Sequence, residues 1–299
     1  MSNNPSHHKI WDICNWKKQK DIMKNSSKKI RIFCHCHVFY PELWQELKTC
    51  LLNLAAVAEL KVTVTAVREL PEIQKDCQHY FPGSTFQIVP NSGYDILPFF
   101  RVYDMIEPEE FDLVLKLHTK RNYPQFCYHV NYYSFCGSKW RRGLLEFLST
   151  PRNTALTLQC FEDPAVGMVG NGRLWCDYER DGIPWNKTYI KDELRYLGMK
   201  TPERAFLSGT MFICRPEVLK FFHRKVDYDR LQTSNDHSIS VVHCYEMLFG
   251  CALAESGLLF CDYANRPPSK LHGGAWRKLY FRILWKVFLL SNKFCRISK

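Results

Sequence analysis

The chain has 299 residues, enough for one large domain or two small ones around a real apolar core. Aromatic residues make up 14% and Gly and Pro occur in ordinary numbers, which excludes a disordered or fibrous chain. The formal net charge of +11 sits at the two ends: residues 1–30 hold seven Lys and two Asp, residues 263–299 hold nine Lys or Arg and no acid, and the body between them carries −3, which argues against nucleic acid as a partner.

Residues 1–28 read as a basic extension. The opening MSNNPSHHKIWD is polar and lacks the apolar stretch of an export signal. Together with 14 Cys and no paired CxxC zinc spacing, this predicts a cytoplasmic, reducing setting. The sequon Asn186-Lys187-Thr188 is then a chance match.

KKIRIFCHCHVF predicts the first strand. Its alternation puts Cys34 and Cys36 on one face and His35 and His37 on the other, a structural pattern rather than a metal site. PELWQELKTCLLNLA follows, with Trp44, Leu47, Leu51 and Leu54 at helical spacing. KVTVTAV is a strand, PEIQKDCQHYF a weak helix, STFQIVPN a strand, ILPFFRVYDMI helical and FDLVLKL a fourth strand. This alternation predicts a mostly parallel α/β sheet with helices on both faces, whose sites lie beyond the carboxyl ends of the strands.

In the second half, SKWRRGLLEFLS is helical, with Trp140, Leu144, Leu145 and Leu148 on one side. DPAVGMVGN reads as strand and turn, NKTYIKDELRYLG as a helix, and FLSGTMFICRPEVLKFF as strand, Pro and helix. ISVVHCYEMLFGCALAESG is a helix and LLFCDY a last strand. With no clean linker, residues 29–263 form one unit, followed by a basic amphipathic tail, 264–299. Neither a GxGxxG after strand one nor a GxxxxGK[ST], GxSxG or HExxH is present, so dinucleotide binding, P-loop hydrolysis and the common hydrolase sites lose their usual signals.

Four places carry candidate chemistry. In Asn91-Ser92-Gly93-Tyr94-Asp95, Asn91 and Gly93 shape a turn, and Asp95 either caps the next helix or accepts from a ribose, base or sugar hydroxyl. Strand four ends in His118-Thr119-Lys120-Arg121. Lys120 and Arg121 suit a diphosphate, and His118 and Thr119 can donate to its oxygens; the alternative is an exposed polar strand end. Gly209 lets a ligand approach the backbone closely, whereas Met211 and Phe212 read as core. His243 and Glu246, three apart on one helix face, make either an acid–base pair or a buried hydrogen-bonded pair.

The order NSGYD–helix–FDLVLKLHTK, then SKWRRGLLEFL, VGMVG, FLSGTMFICRPEVL and HCYEMLFG, resembles the rhamnan synthesis F family of bacterial polysaccharide glycosyltransferases over about residues 31–263. YDILPFF, VLKLHTKR, GTMFICRPEVL and HxxEMLFG are its most specific parts. The resemblance implies a GT-A-like, Rossmann-related fold. It also implies transfer, with inversion, of a sugar (L-rhamnose from dTDP-rhamnose as the first choice) from a nucleotide-diphosphate donor to a cell-surface polysaccharide or lipid-linked glycan acceptor.

Many GT-A enzymes hold Mn²⁺ or Mg²⁺ with a DxD where this chain has His118-Thr119-Lys120. The first expectation is therefore that no metal is required, with Mn²⁺ or Mg²⁺ as the alternative. The family's HxxER is Glu246-Met247 here, so its arginine is missing. Under this reading Asn91, Asp95, His118, Thr119, Lys120, Arg121 and Gly209 bind the donor. Glu246, assisted by His243, is the first candidate base and Asp236 the second. Rival readings are a phosphosugar-handling or polysaccharide-modifying enzyme, and a non-catalytic nucleotide-sugar-binding subunit.

The tail segment WRKLYFRILWKVFLL places Lys278, Arg282 and Lys286 on one helical ridge, with Trp276, Leu279, Tyr280, Ile283, Leu284 and Val287 on the other side. Charge interrupts it too often for a membrane span, and it predicts an interfacial helix on anionic lipid; the resemblance implies the inner face of the cytoplasmic membrane. In vesicle flotation at low salt, the full chain is expected to rise with anionic vesicles and a form ending at Asn265 to stay behind. Equal recovery of both forms would favour a tail packed on the domain.

Overall fold

The computed structural model describes residues 29–122, 127–130, 133–179, 187–200, 203–232 and 241–264. The basic extension, the amphipathic tail from Asn265 on, Asn186 of the sequon and the candidate base Asp236 lie outside the described residues.

The elements are β1 (Arg31–Val38), α1 (Trp44–Ala55), β2 (Glu59–Ala66), α2 (Pro71–Tyr80), β3 (Thr85–Ile88), α3 (Ile96–Tyr103), β4 (Leu113–His118), β5 (Cys127–Val130), β6 (Tyr133–Cys136), α4 (Ser138–Leu145), α5 (Pro151–Gln159), β7 (Val166–Gly170), β8 (Trp175–Asp177), α6 (Lys187–Tyr196), β9 (Ala205–Leu207), β10 (Phe212–Cys214), α7 (Pro216–Leu219), α8 (Tyr228–Gln232), α9 (Val241–Glu255) and β11 (Leu259–Asp262). Seven strands form one sheet in the order β11-β7-β10-β4-β1-β2-β3. All neighbours are parallel except β10, which runs antiparallel to β4 and to β7. The expected mixed, mostly parallel α/β sheet is therefore present.

The single strand expected across FLSGTMFIC is split in two. Gly209 and Thr210 both have positive φ, 81° and 47°, which no extended strand tolerates. The chain turns there, so β9 pairs with β8 in a small sheet while β10 enters the main one. The β5–β6 hairpin carries no signal that the sequence reading recognised.

The central strands are two-faced. Cys34 and Cys36 point to the side on which Cys50 of α1 and Cys77 of α2 lie. The alternate positions point to the other side, where Phe99 of α3 meets His35 and Phe249 of α9 meets both Phe99 and Phe212. Helices thus cover both faces. Ten cysteines are free among the described residues, eight of them buried, as structural cysteines should be. Cys136 departs from the expectation of reduced thiols: it is disulfide-bonded, at the hairpin position in register with Cys127.

Helix α9 lies directly on β9. A Cβ on Gly250 would stand 2.0 Å from the carbonyl oxygen of Ala205, and backbone cannot swing aside as a side chain can. Gly250→Ala is expected to lower stability by about 1–3 kcal/mol or more, the usual range for overpacking. A urea midpoint equal to wild type would show that this contact is not tight.

Candidate active site

The site grows from the sheet face covered by α3 and α9. His35 and His37 of β1 stand in register with Thr63 and Thr65 of β2 on one side, and with Lys116 and His118 of β4 on the other. All six are buried, a polar stripe within an otherwise apolar sheet. Buried polar groups need partners. The Thr65 hydroxyl lies 2.9 Å from both His35 Nε2 and His37 Nδ1, one group bridging the two rings.

Lys116 is the deepest charge, fully buried. Its ammonium pairs with Asp95 Oδ2 and donates to Thr210 Oγ1 at 3.0 Å and to the Thr210 carbonyl at 3.2 Å. The Thr210 hydroxyl in turn donates to Asp95 Oδ2 at 2.9 Å. Asp95 occupies the N-cap position of α3 but makes no capping hydrogen bond, so the capping alternative gives way to the ion pair. The carboxylate gathers β4, the start of α3 and the β9–β10 turn at one point.

Burial opposes the charge on Asp95, but His118, Lys116 and Lys120, with the hydrogen bond from Lys116, hold its carboxyl well below the usual range. Burial lowers Lys116, and Asp95 resists that fall. Burial also lowers His37 and His118, each to about 4, so both rings are neutral near pH 7. His118 Nε2 lies 2.9 Å from the Gly209 carbonyl and donates to it, and 3.6 Å from Asp95 Oδ2.

Glu246 approaches from α9. It is half-buried, as is His243 one turn earlier, whose ring centroid lies 5.5 Å from that of Tyr94. Burial raises the Glu246 carboxyl above its usual range. His243 opposes the shift, Asp95 adds to it, and Lys120 and Lys116 oppose it. Asp95, Lys116, Lys120, His243 and Glu246 therefore share one electrostatic neighbourhood at the carboxyl ends of β1 and β4.

The other expected residues take different places. Thr119 is buried, and its hydroxyl accepts from the amides of Phe39 and Tyr40 at 3.0 and 2.9 Å, anchoring the loop after β1. Arg121 is exposed, its guanidinium 5.9 Å from the Tyr40 ring centroid, and Asn91 is exposed. At Gly209 the close approach expected of a ligand is made by protein. A Cβ there would stand 2.4 Å from Leu144 Cδ2 and 3.3 Å from Trp140 Cζ2. Met211 and Phe212 are core. Lys116 and Thr210 were missed. Lys116 sits in an apolar strand pattern, where an isolated Lys buried mid-strand was the available signal.

These donors do not fit Mn²⁺ or Mg²⁺. Asp95 Oδ2 already faces a buried ammonium and a hydroxyl, and among the described residues no three His, Cys, Asp or Glu side chains converge as a metal site. At the missing arginine, Met247 is buried in the core, and Glu246 feels positive charge from His243 on its own helix and from Lys120 and Lys116.

A family model described as rhamnan synthesis protein F matches residues 6–257. Two similar curated proteins, both described as "Uncharacterized protein WxcX", come from Xanthomonas campestris pv. campestris. That of strain B100 is 26% identical and that of a second strain 25%, in each case over 236 residues that cover 74% of this chain and 31% of the relative. The chain thus spans about a third of the length of these relatives. Among the described residues no helix is long and apolar enough to cross a membrane.

The buried histidines set a pH dependence. Free His titrates near 6.5, while His37 and His118 titrate at about 4 in the fold, so the unfolded chain binds more protons between those values. Their contribution is fully present above about pH 6.5 and is lost as pH falls toward 4, at about 1.4 kcal/mol per proton per pH unit. Asp95, lowered in the fold, adds its own loss only at more acid pH. The urea midpoint is expected to drop between pH 7 and 4.5, and less steeply in His37→Gln. An unchanged slope in the variant would remove His37 from the account.

Proposed function

Because the chain belongs to the rhamnan synthesis protein F family, we propose that it is a glycosyltransferase of bacterial polysaccharide synthesis. It moves a sugar, L-rhamnose from dTDP-rhamnose in the first instance, from a nucleotide-diphosphate donor to a polysaccharide or lipid-linked glycan, with inversion. The observation that carries this is the buried Asp95–Lys116 pair where the parallel strands β1 and β4 end, with the His243 ring of α9 beside Tyr94 and Glu246 one turn on, within the field of Asp95, Lys120 and Lys116. Supporting a GT-A-like reading are the sheet order, its one reversed strand and the position of His118-Thr119-Lys120 after the central β4.

In this mechanism the acceptor hydroxyl attacks the anomeric carbon while the bond from that carbon to the diphosphate oxygen breaks. Glu246, with its raised carboxyl pKa, takes the hydroxyl proton. Positive sugar character and negative leaving-group charge grow together. Lys120 meets the leaving oxygen, with Arg121 at the outer edge. His118, neutral and committed to Gly209, orders the backbone beneath the donor rather than carrying charge. Asp95, fixed by Lys116, orients donor hydroxyls. His243 steadies Glu246. The basic tail holds the enzyme at an anionic membrane surface, where a lipid-carried acceptor would lie.

Glu246→Gln is expected to slow transfer by about 10²–10⁴ with little change in donor affinity, the usual worth of a general base. Lys120→Ala is expected to weaken donor binding and slow transfer together, and turnover is expected to persist in EDTA. Steady-state kinetics and donor titration check all three. A fully active Glu246→Gln enzyme would move the base elsewhere, and activity abolished by EDTA and restored by Mn²⁺ would restore the metal.

A further inference from the structure

A cavity of about 560 Å³ lies between α1, the β5–β6 hairpin and α4. Its size is that of an ordinary small-ligand site. Helix α4 forms a shared wall. Residues 139, 142, 143 and 146 recur at i, i+3, i+4 and i+7 and all line the cavity. Trp140 and Leu144 lie against Gly209, the residue whose carbonyl holds His118. The cavity is one helix away from the Asp95–Lys116 centre and distinct from it.

Its walls are chemically mixed. Lys139, Arg142 and Arg173 line it, and none of them has an ion-pair partner among the described residues. The Arg173 guanidinium lies 5.5 Å from the Tyr133 ring centroid, and its buried Nε has no hydrogen-bond partner. The two carboxylates in the wall are already engaged. Glu46 Oε2 accepts from Arg141 Nε at 2.7 Å, and Glu146 Oε2 from Asn171 Nδ2 at 2.7 Å. Tyr133 and Phe135 add two rings with centroids 6.5 Å apart.

A simple anion site would not be lined by carboxylates, and an apolar ligand would not need three cations. Ring surface for C–H groups, the Thr49 and Ser149 hydroxyls that can accept from a ligand, and cations without ion-pair partners together match a sugar that carries negative charge. We propose that this cavity binds an anionic saccharide, a sugar bearing a phosphate or a carboxylate. On the transferase reading above, on which this part rests, that saccharide is the charged part of the acceptor.

The test is direct binding to the full chain, measured by calorimetry and saturation-transfer NMR and independent of turnover. The probes are a hexose 1-phosphate, a hexuronate, a neutral methyl hexoside, inorganic phosphate and dTDP. At least one anionic sugar is expected to bind more tightly than the neutral sugar and than phosphate, and whichever of the two binds names the charged group. Lys139→Glu/Arg142→Glu changes two exposed side chains and is expected to weaken that binding about tenfold or more. Tyr133→Ala is expected to weaken the sugar but not phosphate, with dTDP affinity and the melting temperature unchanged in both variants. No binding by either anionic sugar, phosphate binding as tightly as the sugar, or an unaffected double variant would overturn the proposal. A matching loss of dTDP affinity would place the cavity in the donor site and also overturn it. Saccharide binding without any sugar transfer would leave the cavity assignment standing and remove the transferase reading.

Discussion

The ion pair between Lys116 and Asp95 is the constraint around which the site is arranged. A buried ammonium is tolerated only with a counter-charge and with its remaining protons satisfied. Here the counter-charge comes from the start of α3 and the remaining acceptors from Thr210. Three segments far apart in sequence are thereby pinned to the centre of the sheet. Removing one partner of such a pair typically destabilises by about 3–5 kcal/mol, because the other charge is left buried alone. Thr210 is held in the left-handed region at φ 47°, an uncommon conformation for a non-glycine residue, within this network.

The pair also divides the positive charge of β4 into two uses. Lys116 is consumed inside the protein, and Lys120, four residues on and only half-buried, is left at the rim. Two lysines four residues apart thus stand in different settings, one buried in an ion pair within the strand and one half-buried just beyond it. Glu246 feels both of them together with Asp95, and its raised pKa follows from burial more than from any one neighbour. A carboxyl half-buried near cations, rather than salt-bridged to one, retains the proton affinity that a base requires.

Where the chain departs from the patterns its resemblance suggests, the structure supplies physical substitutes. His118, where the resemblance leads one to expect a metal-binding carboxylate, turns inward to the Gly209 carbonyl. Met247, in place of the arginine after the glutamate, faces the core, where a guanidinium would need a buried partner. Positive charge reaches Glu246 from His243 on its own helix and from Lys116 and Lys120 on the β4 side. The cavity beside the hairpin extends the same division of labour: α4 turns Trp140 and Leu144 toward Gly209 and its charged residues toward the hairpin side.

The sequence by itself determined the strand–helix alternation, the two faces of RIFCHCHVF and the placing of NSGYD and HTK at strand ends. These depend on local periodicity, and a period of 2 or 3.6 is visible in a string. It also marked His243 and Glu246 as neighbours on one helix face, because i and i+3 meet whatever lies beyond. Only the tertiary structure decided that Asp95 spends its carboxylate on Lys116 rather than on its own helix, since residues 95 and 116 meet through the sheet. The same holds for Gly209, whose missing Cβ makes room for Leu144, and for Thr119, whose hydroxyl anchors the chain after β1. The break between β9 and β10 was hidden in a continuous apolar run, because hydropathy does not record the sign of φ. A partner is a property of three-dimensional neighbours, and burial decides which of two identical side chains spends its charge on the protein and which keeps it at the surface.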